Sequence, residues 1–485
     1  MTPSAERYQV ARDHLLSLTG QHRRAVAEWT WPEITGPFNF AVDVVDTYAR
    51  GLHRPGLVVI EEDGSSTSRT FHELTSRSDQ LARHLAGLGV EKGDPVVVML
   101  GNQVELWETM LALIKLGAVI LPTTVALGPG DLADRVARTG VRHVVTNPAS
   151  TEKFGAIGGL VSRSVTGDGA GAGPSWVPFA AAADVSDDPV GHPGTLPEDP
   201  LLWYFTSGTT SRPKLVEHTH ASYPVGHLAT VYWIGVRPGD VHCNISSPGW
   251  AKHAWSCFFA PLIAEATIVV ANYTRFDPAA LLTILRREQV TTFCAPPTVW
   301  RMLIEADLSG GPGSLREVVA AGEPLNPEVI SRVRDAWGLT VRDGFGQTET
   351  SALVGNTPGS PLTPGSMGRP LPGCPVVLVD PVTGEPFPDS DPVPEGEICL
   401  DLAARPVMLT TGYQGDPELQ AQATRGGYYH TGDLASRDAD GYLTYIGRTD
   451  DVFKASDYKI SPFELESALI QHPAVVEAAV VPAPD

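Results

Sequence analysis

Residues 96–122 read VVVMLGNQVELWETMLALIKLGAVILP. Residues 96–100 and 118–122 are short apolar runs of strand length. Between them Leu106, Met110, Leu111, Leu113 and Ile114 recur at helical spacing, and the helix predicted over 103–116 ends before Gly117. Residues 71–89 show the same helical spacing. A second series repeats the texture: strands at 241–246, 267–271, 292–295 and 317–321, with a helix near 278–288. Such alternation of strands and helices predicts an α/β fold on parallel sheets.

The texture changes twice along the chain. Residues 164–200 are rich in Gly, Ala, Pro and Asp and read as a surface connection; 355–368 form another Pro/Gly/Ser loop. Beyond it, short strands at 376–380, 397–402 and 442–446 predict a small β-rich subdomain. Arg448-Thr449-Asp450 then opens a last segment, with a helix expected at 462–471 and a strand at 475–481.

A chain of 485 residues can bury more than one hydrophobic core. Its net charge of −21 argues against a nucleic-acid surface and gives Lys214, Arg448 and Lys459 more weight in any anion site. The five cysteines are scattered, odd in number and without a CxxC pair, which fits a reduced intracellular protein without a structural zinc site. The polar, amphipathic N-terminus is no signal peptide. The most apolar stretch, 110–122, is too short to span a bilayer and contains Lys115. A cytoplasmic enzyme without a membrane span is expected.

Residues 204–214 read YFTSGTTSRPK. Thr206, Ser207, Thr209, Thr210 and Ser211 put hydroxyls around Gly208, and Lys214 adds a point charge. Hydroxyls and free backbone N–H groups on a turn can wrap a polyphosphate. The spacing is not that of a Walker A loop, and a solvated Ser/Thr turn reads equally from this segment alone.

Three more segments follow in order: GFGQTE at 344–349, YHTGD at 429–433, and GRTDD at 447–451. This ordered set resembles the adenylate-forming superfamily, and the resemblance runs from about residue 55 to the last residue. GYYHTGD followed by DDVFKASDYKISPFELE is most similar to medium-chain acyl-CoA synthetases. The resemblance implies an N-terminal adenylation domain over 1–449. It would have two doubly wound α/β lobes plus the β-rich subdomain, with a mobile C-terminal domain from 450 to 485. It implies ATP, Mg²⁺ and CoA, and activation of a medium-chain or aromatic carboxylic acid to acyl-AMP, with pyrophosphate release, before transfer to the CoA thiol.

Roles carry over position by position. The resemblance implies that Thr206 to Lys214, with Ser207, Gly208, Thr209 and Thr210, closes over the β- and γ-phosphates. Thr348 would bind the α-phosphate and Glu349 would hold Mg²⁺; a carboxylate at a helix N-terminus is the plainer alternative for Glu349. Phe345 would stack on adenine, within a strip of Asp343, Gly344, Gly346 and Gln347. Gly322, Glu323 and Pro324 would supply backbone along adenine and the acyl group. Asp433 would take both ribose hydroxyls, an apt match of an acceptor-only carboxylate to two donors; an Asx-turn after Gly432 is its alternative. Arg448 would contact ribose and phosphate. Trp250 and His253 would line the acyl and thiol channels, although packing explains each from local sequence alone. Acetate-restricted relatives block the acyl tunnel with an aromatic residue at the place of Gly346, so the bare glycine predicts room for a longer or aryl acid.

Asp450 matches the family hinge. The lysine that assists adenylation late in the C-terminal domain has no counterpart, and the expectation is that the sequence stops within that domain. Ser211 and Asp457 depart from family glycines, and Lys459 from a common arginine. The changes at Asp457 and Lys459 keep other acceptors open: a carrier-protein thiol, an amine or another small nucleophile. A nucleotide-binding protein with little catalysis is a further alternative. Oligomeric state is not legible.

Overall fold

The computed structural model describes residues 2–206, 212–388 and 392–449, with scattered positions beyond. Residues 96–122 form the expected unit: strand Pro95–Met99, helix Val104–Leu116 and strand Val119–Pro122. The two strands are parallel, with Val97 opposite Leu121. Gly117 stops the helix in a left-handed conformation (φ 71°). A Cβ there would meet the Thr195 side chain at 2.7 Å, so glycine is required on two counts.

The helix is buried on nearly every side, which leaves Lys115 1% exposed. Its ammonium is paired with Asp79 at 2.9 Å and Asp46 at 3.0 Å. A buried charge persists only when paired in this way.

This unit is the centre of an eight-stranded sheet. From the margin nearest the cleft inward it runs Gly412–Tyr413, Lys214–Thr219, Pro200–Thr206, Val119–Pro122, Pro95–Met99, His143–Thr146, Ser162–Val165 and Val177–Pro178. The second series builds a nine-stranded sheet whose parallel middle comprises Pro55–Ile60, Thr267–Ala271, Val241–Asn244, Thr292–Ala295, Glu317–Ala321 and Arg342–Gly346. Both sheets end in antiparallel pairs: Pro200–Thr206 with Lys214–Thr219, and Arg342–Gly346 with Ala352–Gly355. Alternation alone did not show these antiparallel margins.

The β-rich subdomain is a four-stranded antiparallel sheet, ordered Val376–Val379, Val393–Asp401, Tyr428–Arg437 and Leu443–Arg448. The stretch read as surface connection is partly structured. Strand Val177–Pro178 joins the eight-stranded sheet, and Phe179 is buried, with its carbonyl accepting from Arg77 at 3.1 Å. The N-terminal helix Pro3–Ser17 packs on the large body through Tyr8, whose hydroxyl donates to the Pro224 carbonyl at 3.1 Å. Among the described residues no helix is long and apolar enough to cross a membrane. Ser207, Gly208, Thr209, Thr210, Ser211, Asp450 and Asp457 lie outside the described residues, as do most of the predicted helix 462–471 and part of the predicted strand 475–481.

Candidate active site

The three sheets meet at two adjoining cavities. The larger, about 780 Å³, collects Thr206, Lys214, Trp250, Thr348, Glu349 and Tyr413. The smaller, about 270 Å³, collects Gly322, Glu323, Pro324, Asp343, Phe345 and Asp433, with Gly344 and Gly346 also on its wall. Gln347 and Arg448 line both.

The turn between Gly346 and Ala352 is the pivot. Thr350 Oγ1 accepts from the Gln347 N–H at 3.0 Å, and the Thr350 N–H returns to the Gln347 carbonyl at 3.2 Å. The Thr348 carbonyl accepts from His218 Nε2 at 2.7 Å, and the Glu349 carbonyl from the Thr410 N–H at 2.7 Å. Burial holds His218 neutral, down to about 4, so one ring nitrogen donates and the other is left to Ser222. Glu349 therefore sits on a pinned turn between two strands, not at a helix N-terminus.

In the small cavity every polar side chain is tied. Asp433 is 5% exposed and accepts from Gln347 Nε2 at 2.5 Å and from the Tyr445 hydroxyl at 3.4 Å; Arg448 pairs with it at 3.2 Å. Burial pushes its carboxyl up to about 6, against the opposing pull of Arg448. Asp343 accepts from the Gly344 N–H at 2.9 Å and the Leu325 N–H at 3.4 Å; burial raises it to about 7. Gly322 adopts φ 106°, a conformation that suits glycine, at the end of strand Glu317–Ala321.

The bulge at Thr431–Asp433, inside strand Tyr428–Arg437, has its own support, which local sequence did not reveal. Glu397 Oε1 accepts from the Gly432 N–H at 3.0 Å, and Glu397 Oε2 meets His430 Nδ1 at 2.8 Å. Cys399 Sγ lies 3.5 Å from the same nitrogen. The Thr431 carbonyl accepts from both Gln347 Nε2 (2.8 Å) and Arg448 (3.0 Å), which joins this bulge to the pivot.

The large cavity is less constrained. Thr206 and Lys214 are register partners at the loop end of their hairpin. Trp250 stands at the opening and is 62% exposed, an unusual position for indole. Glu349 Oε1 accepts from the Tyr413 hydroxyl at 3.0 Å, and Lys214 Nζ stands 5.5 Å from the centre of the Tyr413 ring. A carboxylate, an ammonium and a threonine hydroxyl thus face one polar space, an arrangement that can hold a polyphosphate with an oxygen-loving cation.

Two sequence expectations meet a different arrangement. His253 lines neither cavity. It is buried, bonded through Nε2 to Asn102 at 3.0 Å and packed 5.5 Å from Trp107. The room expected beside Gly346 is filled. A Cβ there would lie 2.6 Å from the rim of Trp255 and 2.3 Å from the Ser351 carbonyl. The Trp255 indole is fixed by its N–H, which donates to the Tyr223 hydroxyl at 3.0 Å. The glycine accommodates a neighbouring tryptophan supplied by another segment, and nothing in the GFGQTE motif signals it.

Comparison with known proteins gives a consistent picture. Residues 49–413 match the family described as AMP-binding enzyme. The chain is similar to 4-hydroxybutyrate–CoA ligase 1 of Metallosphaera sedula, 41% identical over 428 residues, which are 87% of this chain and 74% of that protein. It is similar to the mitochondrial acyl-coenzyme A synthetase ACSM3 of Mus musculus, 35% identical over 471 residues, 93% of this chain and 80% of that one. Among solved structures, an acyl-CoA synthetase of Brucella canis superposes with a TM-score of 0.81 at 32% identity, covering 98% of this chain and 86% of the other.

Proposed function

We propose, for a chain that belongs to the AMP-binding enzyme family and is an ATP-dependent, AMP-forming acyl-CoA synthetase, that its two cavities divide nucleoside binding from phosphate chemistry. One observation carries the division. Gln347 and Arg448 line both cavities, so a ligand with a nucleoside end and a phosphate end can span them.

In this reading the small cavity takes the nucleoside. Asp433 accepts from the two ribose hydroxyls, and Phe345 stacks on adenine beside the main chain of Gly322, Glu323 and Pro324. Asp343 and the glycines Gly344 and Gly346 close the far wall. Arg448 bridges ribose and α-phosphate. In the large cavity Thr206 and Lys214, with Ser207, Gly208, Thr209 and Thr210, hold the outer phosphates, and Thr348 orients the α-phosphate. Glu349 suits Mg²⁺: it is an oxygen donor in a polar cleft, with one oxygen already held by Tyr413. Bound there, the ion would neutralise triphosphate charge as the acid approaches.

The acid's carboxylate oxygen attacks the α-phosphorus and pyrophosphate leaves; the CoA thiol then displaces AMP from the acyl-adenylate. The chain contributes cations, oriented dipoles and the exclusion of water rather than a covalent intermediate. Trp250 lines the entrance for acid and thiol. Trp255, packed against Gly346, favours compact acids: a short medium-chain tail or a single aromatic ring. The similar Metallosphaera protein is named for 4-hydroxybutyrate, an acid of that compact kind. We assign residues 1–449 to the adenylating unit and 450 onward to a mobile C-terminal unit hinged at Asp450. Five free buried cysteines support a reducing compartment, for which we propose the cytoplasm.

Pyrophosphate exchange measured with butyrate, 4-hydroxybutyrate, octanoate, benzoate and long-chain acids tests this reading. Exchange with a compact acid, followed by thioester formation on adding CoA but not a carrier protein, is expected. No exchange with any acid in the presence of Mg²⁺ would overturn it.

A further inference from the structure

We propose that Tyr413 is a positioning residue for the phosphate chemistry, serving the metal carboxylate through its hydroxyl and the phosphate-binding lysine through its ring. The proposal rests on the reading of Glu349 and Lys214 given above. Tyr413 is 8% exposed at the floor of the large cavity. Its hydroxyl donates to Glu349 Oε1 at 3.0 Å, and its ring carries Lys214 Nζ at 5.5 Å from the centroid, within cation–π reach.

The backbone explains why one side chain can touch both. Gly412–Tyr413 is the marginal strand of the eight-stranded sheet, antiparallel to Lys214–Thr219, with Tyr413 opposite Val216. The Gln414 N–H donates to the Leu215 carbonyl at 2.8 Å. A few residues earlier, Thr410 reaches both neighbours: its N–H donates to the Glu349 carbonyl at 2.7 Å and its hydroxyl to the Glu217 carbonyl at 2.5 Å. The segment 410–414 therefore stitches the lysine hairpin to the carboxylate turn, and Tyr413 points its ring and hydroxyl along that seam.

An ionised carboxylate has no proton to give, so in this contact the phenol is the donor. That fixes one carboxylate oxygen and leaves the other for a metal, as suits the one-oxygen contacts of an octahedral Mg²⁺ shell. The ring has a second effect. Lys214 and Glu349 carry opposite charges in one cleft, yet Lys214 makes no salt bridge among the described residues. The aromatic face gives the ammonium a resting place that does not consume the metal's ligand.

Two substitutions separate the functions. Tyr413→Phe keeps the ring and removes the donor; Tyr413→Leu, with Tyr413→Met as a second shape, removes both. ATP binding is titrated calorimetrically with excess Mg²⁺ and again in EDTA, beside thermal melts and the Mg²⁺ dependence of pyrophosphate exchange. For Tyr413→Phe we expect MgATP affinity about three- to tenfold weaker, a matching rise in the Mg²⁺ needed for half-maximal exchange, and unchanged affinity in EDTA. The Leu and Met variants should also lose affinity in EDTA, because Lys214 loses its support. Wild-type MgATP affinity and Mg²⁺ dependence in Tyr413→Phe would overturn the hydroxyl role. EDTA affinity equal to that of the Phe variant in a folded Leu or Met variant would overturn the ring role. ATP binding needs no acid, so these arms report on Tyr413 even if no acid is turned over. Absence of ATP binding by the unaltered protein would instead overturn the underlying reading.

Discussion

The two cavities are built to different standards. In the 270 Å³ cavity each polar group is fixed by a neighbour: Asp433 by Gln347, Tyr445 and Arg448, and Asp343 by two backbone N–H groups. In the 780 Å³ cleft, Glu349 relies on a single phenol, Lys214 on an aromatic face, and Trp250 stands largely in solvent. The contrast fits the proposed division of tasks. A nucleoside is neutral and rigid, and a preorganised site binds it without ordering cost. A triphosphate, an acid and a thiol must enter in turn, so the cleft keeps its charges close but not yet committed.

The contrast breaks most severely if the sparse cleft is altered. Glu349→Gln keeps the shape, and the amide oxygen can still accept from Tyr413, yet the charge that would hold the metal is gone. Pyrophosphate exchange should fall about 10²–10³-fold at ordinary Mg²⁺, with nucleotide affinity in EDTA little changed. Exchange at the wild-type rate would remove Glu349 from the metal site.

The crowded cavity should respond in affinity rather than rate. Asp433→Ala removes two hydrogen bonds from ribose to a charged acceptor, each worth about 1.5–3 kcal/mol and not simply additive on one carboxylate. Calorimetry should show ATP binding roughly ten- to a hundredfold weaker. The same variant also removes one of the two acceptors of Gln347 Nε2, so Asp433→Asn, which keeps an acceptor, should retain part of the affinity. Unchanged affinity in both variants would place the ribose elsewhere.

This division also marks what the sequence could say. The crossover unit 96–122 was legible because period and stop signal agree: helical spacing up to Leu116, then Gly117 in a conformation only glycine takes easily. The residues proposed to face the nucleotide were legible because short segments carry them whole, as in GFGQTE and YHTGD. Tyr413 was not, since GYQGD is ordinary and its role arises only from pairing with the Lys214 strand. Gly346 was misread for the opposite reason. A missing side chain in a motif says nothing about what another segment puts in its place, and Trp255 arrives from the π-helical turn Ala254–Phe259. Lys115 argued against reading 110–122 as a membrane span, but its burial and its partners Asp46 and Asp79 were invisible without the fold.

Trp255 offers a finer test of the cleft. Trp255→Ala should open the space beside Gly346 and move the best acid toward longer chains, by about tenfold in relative exchange rate. A large-to-small change at this buried site should also cost about 3–5 kcal/mol of stability, read as a lowered melting temperature. A variant that melts early yet keeps its acid preference would show that the pocket does not run past Trp255.

The smallest expected effect concerns protons and bears on the crowded cavity alone. Burial holds the Asp433 carboxyl at about 6, above the ordinary carboxylate range. The sign follows directly. Above pH 6 the group is ionised and, in the proposed role, would accept from both ribose hydroxyls; below it a proton occupies one oxygen and the negative charge is lost. At pH 7.5 nearly all of the unliganded protein carries the acceptor, whereas at pH 5 about one molecule in ten does. ATP affinity should therefore fall by up to about tenfold between these values. Phosphate protonation also weakens binding in this range, so adenosine, which carries no phosphate, is the cleaner ligand. Adenosine binding that falls through pH 6 in the wild type, and stays flat in Asp433→Asn, would tie the titration to this carboxylate. An equal fall in both proteins would assign it to another group, with Asp343, raised to about 7 by burial on the same wall, the first to replace by Asn.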